Sequence, residues 1–133
     1  MELEKVCVNI TPAELGQIDV LVARGLFASR TDVIRSGIRL VLEQHEATVS
    51  RIVQGSSGLG FMTVSRDDLQ RSFQLGERQR MFVIGVLRID PSITPDLADA
   101  TIERIQIVGS LKAPKEVVER LGSRIVHGLP SGG

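Results

Sequence analysis

Lys5-Val6-Cys7-Val8-Asn9-Ile10-Thr11-Pro12-Ala13-Glu14-Leu15 changes its period halfway along, and that change decides how the first fifty residues fold. Over residues 5–10 polar and apolar side chains alternate. A strand with this pattern carries Val6, Val8 and Ile10 on one face and Lys5, Cys7 and Asn9 on the other. At Thr11 the pattern becomes a helix start. Thr11 serves as N-cap, Pro12 suits the first helical position, where an N–H would lack a partner anyway, and Glu14 completes a T-x-x-E capping box. Leu15, Ile18 and Val22 then share a helical face, and Gly25 supplies a left-handed stop.

A second helix start follows within a few residues. Ser29 is its N-cap, and Asp32, at the third helical position, favours the positive end of the helix dipole. Ile34, Ile38, Val41 and His45 fall on one stripe, widened by Val33, Gly37 and Leu42, and the pattern continues weakly to Val53. His45 is expected as a partly buried member of that stripe. The order is strand, helix, short turn, longer helix.

Such a segment cannot fold alone, because one strand has two unpaired edges and so short a chain buries little apolar surface. Two copies solve the problem. If their strands pair antiparallel, four helices close over Val6, Val8 and Ile10, and Lys5, Cys7 and Asn9 point outward from both chains. A two-stranded ribbon of this kind fits the major groove of B-DNA.

The stretch quoted above, together with Ala28-Ser29-Arg30-Thr31-Asp32-Val33-Ile34-Arg35-Ser36-Gly37-Ile38, resembles the ribbon-helix-helix family of bacterial and archaeal regulators and antitoxins over roughly residues 4–47. The resemblance implies a homodimer on double-stranded DNA, with Lys5, Cys7 and Asn9 at the base-reading positions. It also implies phosphate anchoring at Ser29, Arg30 and Thr31, where free backbone N–H groups and the helix dipole attract an anion. Asn can read adenine and Lys guanine, whereas Cys7 is a small and weakly polar reader.

Beyond this segment the texture changes. Gly55-Ser56-Ser57-Gly58-Leu59-Gly60 reads as a linker, and Ser65-Arg66-Asp67-Asp68 as another helix N-terminus, with Leu69 and Phe73 four apart. Met81-Phe82-Val83-Ile84-Gly85-Val86-Leu87 reads as a strand, Pro95 opens a helix, residues 105–109 form a second strand, and Pro114 opens a second helix. Val83-Ile84-Gly85-Val86-Leu87-Arg88 repeats as Ile107-Val108-Gly109-Ser110-Leu111-Lys112, an offset of 24, and Val126-His127-Gly128-Leu129 looks like a degraded third copy at an offset of 19. A period in the twenties suggests strand-plus-helix rungs that bury their faces on one another, too few to stand alone without pairing across copies; the alternative is an ordinary small α+β domain whose segments are alike by accident. The expected fold is α+β. A ribbon-helix-helix unit spans 1–50, a linker and connecting helix 51–80, and a strand-helix repeat domain for oligomerisation or a protein partner 81–129.

Composition excludes several functions. The 133 residues are 42% hydrophobic with a mean hydropathy of +0.12, enough for a packed core. Aromatics are 3%, with no Trp or Tyr, which argues against a base-stacking platform. One Cys and two His are too few for a disulfide framework or a four-ligand zinc site, so no metal or cofactor is expected. The nucleophile, metalloprotease and phosphate-loop motifs of enzymes are missing. Met1-Glu2-Leu3-Glu4-Lys5 lacks a leader's basic start, and no apolar run approaches a membrane span, so a soluble cytoplasmic chain, on the nucleoid when bound to DNA, is expected.

Charge qualifies the DNA reading. Residues 1–50 hold five basic and seven acidic groups, net −2, and the remainder eleven and nine, net +2. Phosphate neutralisation supplies much of DNA affinity, so extra contacts are expected from Arg66, Arg71, Arg78 and Arg80, or from cooperative binding of several dimers. Nickel-responsive members of the family need a His-rich second domain, and here His127 is the single histidine beyond the helices. Residues 26–44 also resemble antitoxins of the ParD type, whose C-terminal tails are disordered until they wrap a toxin. The expected function is a repressor of its own operon. The alternatives are an antitoxin, or a self-assembling scaffold whose ribbon only dimerises it.

Overall fold

The computed structural model describes residues 3–130; Met1 and Glu2, which entered the leader reading, lie outside the described residues. Two compact units divide the chain, one ending at Arg51 and the other beginning at Ile52.

The first unit holds helices α1 (Pro12–Ala23) and α2 (Arg30–Gln44) and most of α3 (Glu46–Gln54). Thr11 caps α1 and Ser29 caps α2, as their positions ahead of the apolar stripes foretell, and Gly25 turns the chain at φ +76°. Two expectations are corrected. The helix after Ser29 does not run on to Val53 but breaks at His45, whose backbone (φ −112°, ψ 21°) leaves the helical region. His45 is exposed, not half-buried. Residues 3–11 form neither helix nor ladder, so the expected strand at 5–10 has no strand partner among the described residues of its own chain.

The second unit is built of strand-helix rungs. Strands β1 (Gly58–Val64), β2 (Gln79–Ile89), β3 (Ile102–Lys112) and β4 (Ile125–His127) make a wholly parallel sheet in the order β1-β2-β3-β4. Helices α4 (Arg66–Gln74), α5 (Pro95–Thr101) and α6 (Lys115–Leu121) carry the chain between them. Crossovers of one hand between sequential parallel strands leave these helices on one face of the sheet, where they share one core with the strands. There Leu69, Ala98, Val117 and Leu121 from the helices join Val64, Val83, Leu87, Ile89, Ile105 and Ile107 from the strands in one core. The strands alternate as their sequences do, so Leu59, Phe61, Phe82, Ile84, Val86 and Val108 lie on the other face.

The repeat read from sequence is the lateral register of the sheet. Val83 sits beside Ile107, Gly85 beside Gly109 and Arg88 beside Lys112, each 24 residues apart. The linker reading of residues 55–60 needs correction, because Gly58-Leu59-Gly60 opens β1, a rung in its own right. Its glycine belongs to a column. Gly60 lies beside Gly85, which lies beside Gly109, all with positive φ, and a Cβ on Gly85 or Gly109 would overlap the carbonyl oxygen of the glycine before it. The third copy is displaced by one position. Ile107 pairs with His127, which puts Gly128 opposite Val108 and off the column.

Candidate nucleic-acid interface

The passage from residues 5–10 into α1 is fixed by hydrogen bonds. Glu14 N donates to Thr11 Oγ1 at 3.2 Å, and the Thr11 N and hydroxyl donate back to Glu14 Oε1 at 3.4 and 2.7 Å. The capping box is therefore complete. Ahead of it Lys5, Cys7 and Asn9 are all exposed, as the base-reading role requires. Val6 and Val8 are exposed as well, at 79% and 74%. Within one chain the two faces of this segment are thus indistinguishable by burial.

Ser29, Arg30 and Thr31 come together at the amino end of α2. Ser29 Oγ accepts from Asp32 N at 3.1 Å, and the Asp32 carboxylate accepts from Ala28 N at 3.3 Å. The first N–H groups of a helix have no intrahelical acceptor, so the amides of Arg30 and Thr31 face outward with the dipole behind them. The Arg30 side chain is engaged elsewhere. Its Nε and Nη2 donate to the two carboxylate oxygens of Asp19 on α1, at 2.8 and 2.9 Å. That hydrogen-bonded pairing holds the Asp19 carboxyl below the usual carboxylate range and pushes the Arg30 guanidinium upward. Sequence reasoning missed Asp19, since inspection of each helix end by itself does not see a partner across the turn.

Of the four arginines considered for extra phosphate contacts, three have partners within their own unit. Arg71 lies 3.6 Å from Asp68, Arg80 lies 3.9 Å from Glu103, and Arg78 donates to the Asp99 carbonyl oxygen at 3.2 Å. Among the described residues no three His, Cys, Asp or Glu side chains gather as a metal site would.

Apolar exposure is the strongest feature of this unit. None of α1, α2 or α3 has a buried residue. Along α2 an apolar groove is lined by Ile34, Gly37, Ile38, Val41 and Leu42, and its four larger side chains are 43–55% exposed. Full burial of one such side chain is worth about 1.5–3 kcal/mol. The stripe that sequence periodicity marks as core is therefore present, correctly folded as a helix face, and uncovered.

A family model described as the Ribbon-Helix-Helix transcriptional regulator family matches residues 1–118 of the chain. The resemblance read over residues 4–47 thus extends through β3 and into α6, short of β4. No curated protein and no solved structure matches the chain.

Proposed function

The chain belongs to the ribbon-helix-helix transcriptional regulator family, and on that footing we propose that it is a sequence-specific DNA-binding repressor of its own operon, working as a homodimer. Regulators of this family typically dimerise and bind DNA, and they are generally not enzymes. The observation that carries the reading is the uncovered core of the N-terminal unit. Capped helices present Ile34, Ile38 and Val41, the leading segment presents Val6, Val8 and Ile10, and none of the described residues of one chain covers them. A second copy paired antiparallel through residues 5–10 supplies the missing half.

In that dimer Lys5, Cys7 and Asn9 line the groove-facing side of the ribbon, with Asn9 toward adenine and Lys5 toward guanine. Phosphate is held at Ser29, Arg30 and Thr31. Because Asp19 occupies the Arg30 guanidinium, the seat relies on the first-turn amides of α2, and Arg30 acts by bracing α1 against α2. The C-terminal unit joins copies of the protein. Its enclosed core speaks against the antitoxin alternative, which calls for a tail that folds only around a toxin.

The test is a mobility shift on the protein's own upstream region at two salt concentrations, with random duplex alongside. Preference for the upstream region, weakening with salt, is the expected result. Asn9→Ala should lower the preference by about tenfold or more, the discrimination of one bidentate base contact. Arg30→Ala should weaken all duplexes alike. It leaves the salt slope unchanged if Arg30 braces the helices and reduces it by about one if it touches phosphate. Equal losses on both duplexes for Asn9→Ala would count against base reading there. No binding of any duplex at low salt would leave the scaffold alternative standing.

A further inference from the structure

The two edges of the sheet are finished differently. On one side β4 is three residues long, and it is followed by Gly128, whose N donates to Ile107 O at 2.9 Å and whose carbonyl oxygen accepts from Gln106 Nε2, and then by Pro130. A short strand ending near a proline is a common way to close an edge. On the other side β1 presents seven residues, Gly58-Leu59-Gly60-Phe61-Met62-Thr63-Val64, without a charge or a proline. One side of β1 is bonded to β2, and among the described residues no strand lies along the other. Leu59 and Phe61, on the face away from the helices, are 63% and 45% exposed. A long uncharged edge with apolar side chains is a template for another strand.

We propose that β1 pairs antiparallel with β1 of a second copy, joining two four-stranded sheets into one continuous sheet across the dimer axis. This rests on the dimer reading above. A strand that pairs with its own copy across a two-fold axis must run antiparallel to it, and such self-complementary contacts are the commonest kind. The chain path favours this partner over a foreign strand. Residues 45–57, α3 included, separate α2 from β1, so of the four strands β1 follows the dimerising helices most closely in sequence. A short tether of this kind gives the second strand an effective concentration in the millimolar range. Charge favours it too, since β1 carries none to repel its copy.

Centred on Phe61, the pairing sets the two Phe61 rings side by side and Leu59 opposite Thr63 of the partner subunit. It continues the apolar stripe of Ile84, Val86 and Val108 across both sheets. Met62 then lies opposite Gly60 of the partner subunit, where nothing stands within 4 Å of the Cβ position.

Disulfide trapping in the full chain tests the arrangement. In a Cys7→Ser background, Phe61→Cys should oxidise to a covalent dimer in most molecules, because directly opposed residues in an antiparallel pair meet the disulfide distance requirement. Ser110→Cys, on the same face two strands away, should not cross-link. Leu59→Cys and Thr63→Cys should cross-link when mixed and far less when alone. Phe61→Lys should keep the far-UV circular dichroism and raise the dimer dissociation constant about tenfold, the effect of roughly 1.4 kcal/mol. A chain that sediments as a dimer, yet forms no cross-link from any β1 position, overturns the pairing and leaves the dimer reading intact. Cross-linking through Ser110→Cys instead means that the sheets meet face to face, and also overturns it. A chain that sediments as a monomer overturns the dimer reading and the pairing together.

Discussion

Ile107 and Ile38 are both apolar residues in regular secondary structure, but Ile107 is fully buried and Ile38 is 55% exposed. The contrast holds for the units they belong to. Among the described residues the sheet unit encloses thirteen apolar side chains, while the helical unit, whose helix ends are at least as well capped, encloses none. Capping therefore settles where a helix begins and says little about whether it is stable, because most helix stability comes from packing of one face. The sheet unit meets its packing requirement from its own rungs, which corrects the expectation that so few rungs need pairing across copies to stand. The helical unit must meet it from another molecule, so its stability depends on concentration and is inseparable from dimer formation.

The largest expected effect breaks this dependence. Ile38→Asp places a carboxylate in the α2 groove, where burial in a dimer would be costly. The dimer dissociation constant should rise on the order of a hundredfold or more, read by sedimentation equilibrium. Amide exchange protection at Val83 and Ile107 should stay as it was, since those residues lie in the other unit's core. A monomeric variant whose α1 and α2 amides remain protected would show that the helical unit stands alone, and the comparison would fail.

Glycine substitutions sharpen the same contrast. Gly85→Ala puts a methyl onto the Gly60 carbonyl oxygen at a backbone φ of +127°. Left-handed strain of about 1–2 kcal/mol and overpacking of about 1–3 kcal/mol should add, and denaturant unfolding of the sheet unit should show the loss at any protein concentration. Gly37→Ala, in the α2 groove, meets nothing within 4 Å in a single chain. Helix propensity alone would then stabilise it by about 1 kcal/mol. If a second copy fills the groove, the methyl instead weakens the dimer, and the penalty appears in the dissociation constant. A gain in stability with unchanged dimerisation would place the dimer contact elsewhere.

What sequence could reveal here follows from the range of each interaction. Thr11 with Glu14, and Ser29 with Asp32, are contacts across three residues, and both were legible. The offset of 24 was legible because parallel neighbours on one face need similar side chains, so Val83 and Leu87 recur as Ile107 and Leu111. β1 was not, since Gly58-Leu59-Gly60 has the composition of a linker. A signal did exist, for Gly60, Gly85 and Gly109 recur at nearly the same period, and Met62 and Val64 stand where Leu87 and Ile89 do. The Asp19–Arg30 contact spans eleven residues and two helices, and no local pattern encodes it. The outward face of residues 5–10 is of another kind again. Alternation predicts two faces, but only a second strand decides which of them is covered.

The smallest effect concerns one aspartate in each unit. Asp19 is held below the usual carboxylate range by its hydrogen bonds from Arg30, and Asp99 by hydrogen bonding from Arg124, then by the charges of Arg124 and Arg120. A lowered folded-state value means that each contribution is complete above the unfolded value, about 3.9, and is lost as pH falls through the folded one. Acid should therefore loosen both units below about pH 4, but not in the same way. Asp99 is a junction, because Arg124 binds its carboxylate and also donates to the carbonyl oxygens of Asp99 and Ile102, at 3.2 and 3.0 Å. Asp19 holds Arg30 alone, on a surface where solvent screens the pair. Asp99→Asn should flatten the acid limb of sheet unfolding, whereas Asp19→Asn should scarcely alter helix unfolding. Its consequence belongs to binding. With the carboxylate gone, the brace between the helices is lost as it is in Arg30→Ala, but the Arg30 guanidinium is released toward phosphate, so Asp19→Asn should bind all duplexes more tightly than Arg30→Ala does and with a steeper salt dependence. Binding by Asp19→Asn equal to that by Arg30→Ala would mean that Arg30 cannot reach the backbone even when freed, which leaves the α2 amides as the whole of the anion seat.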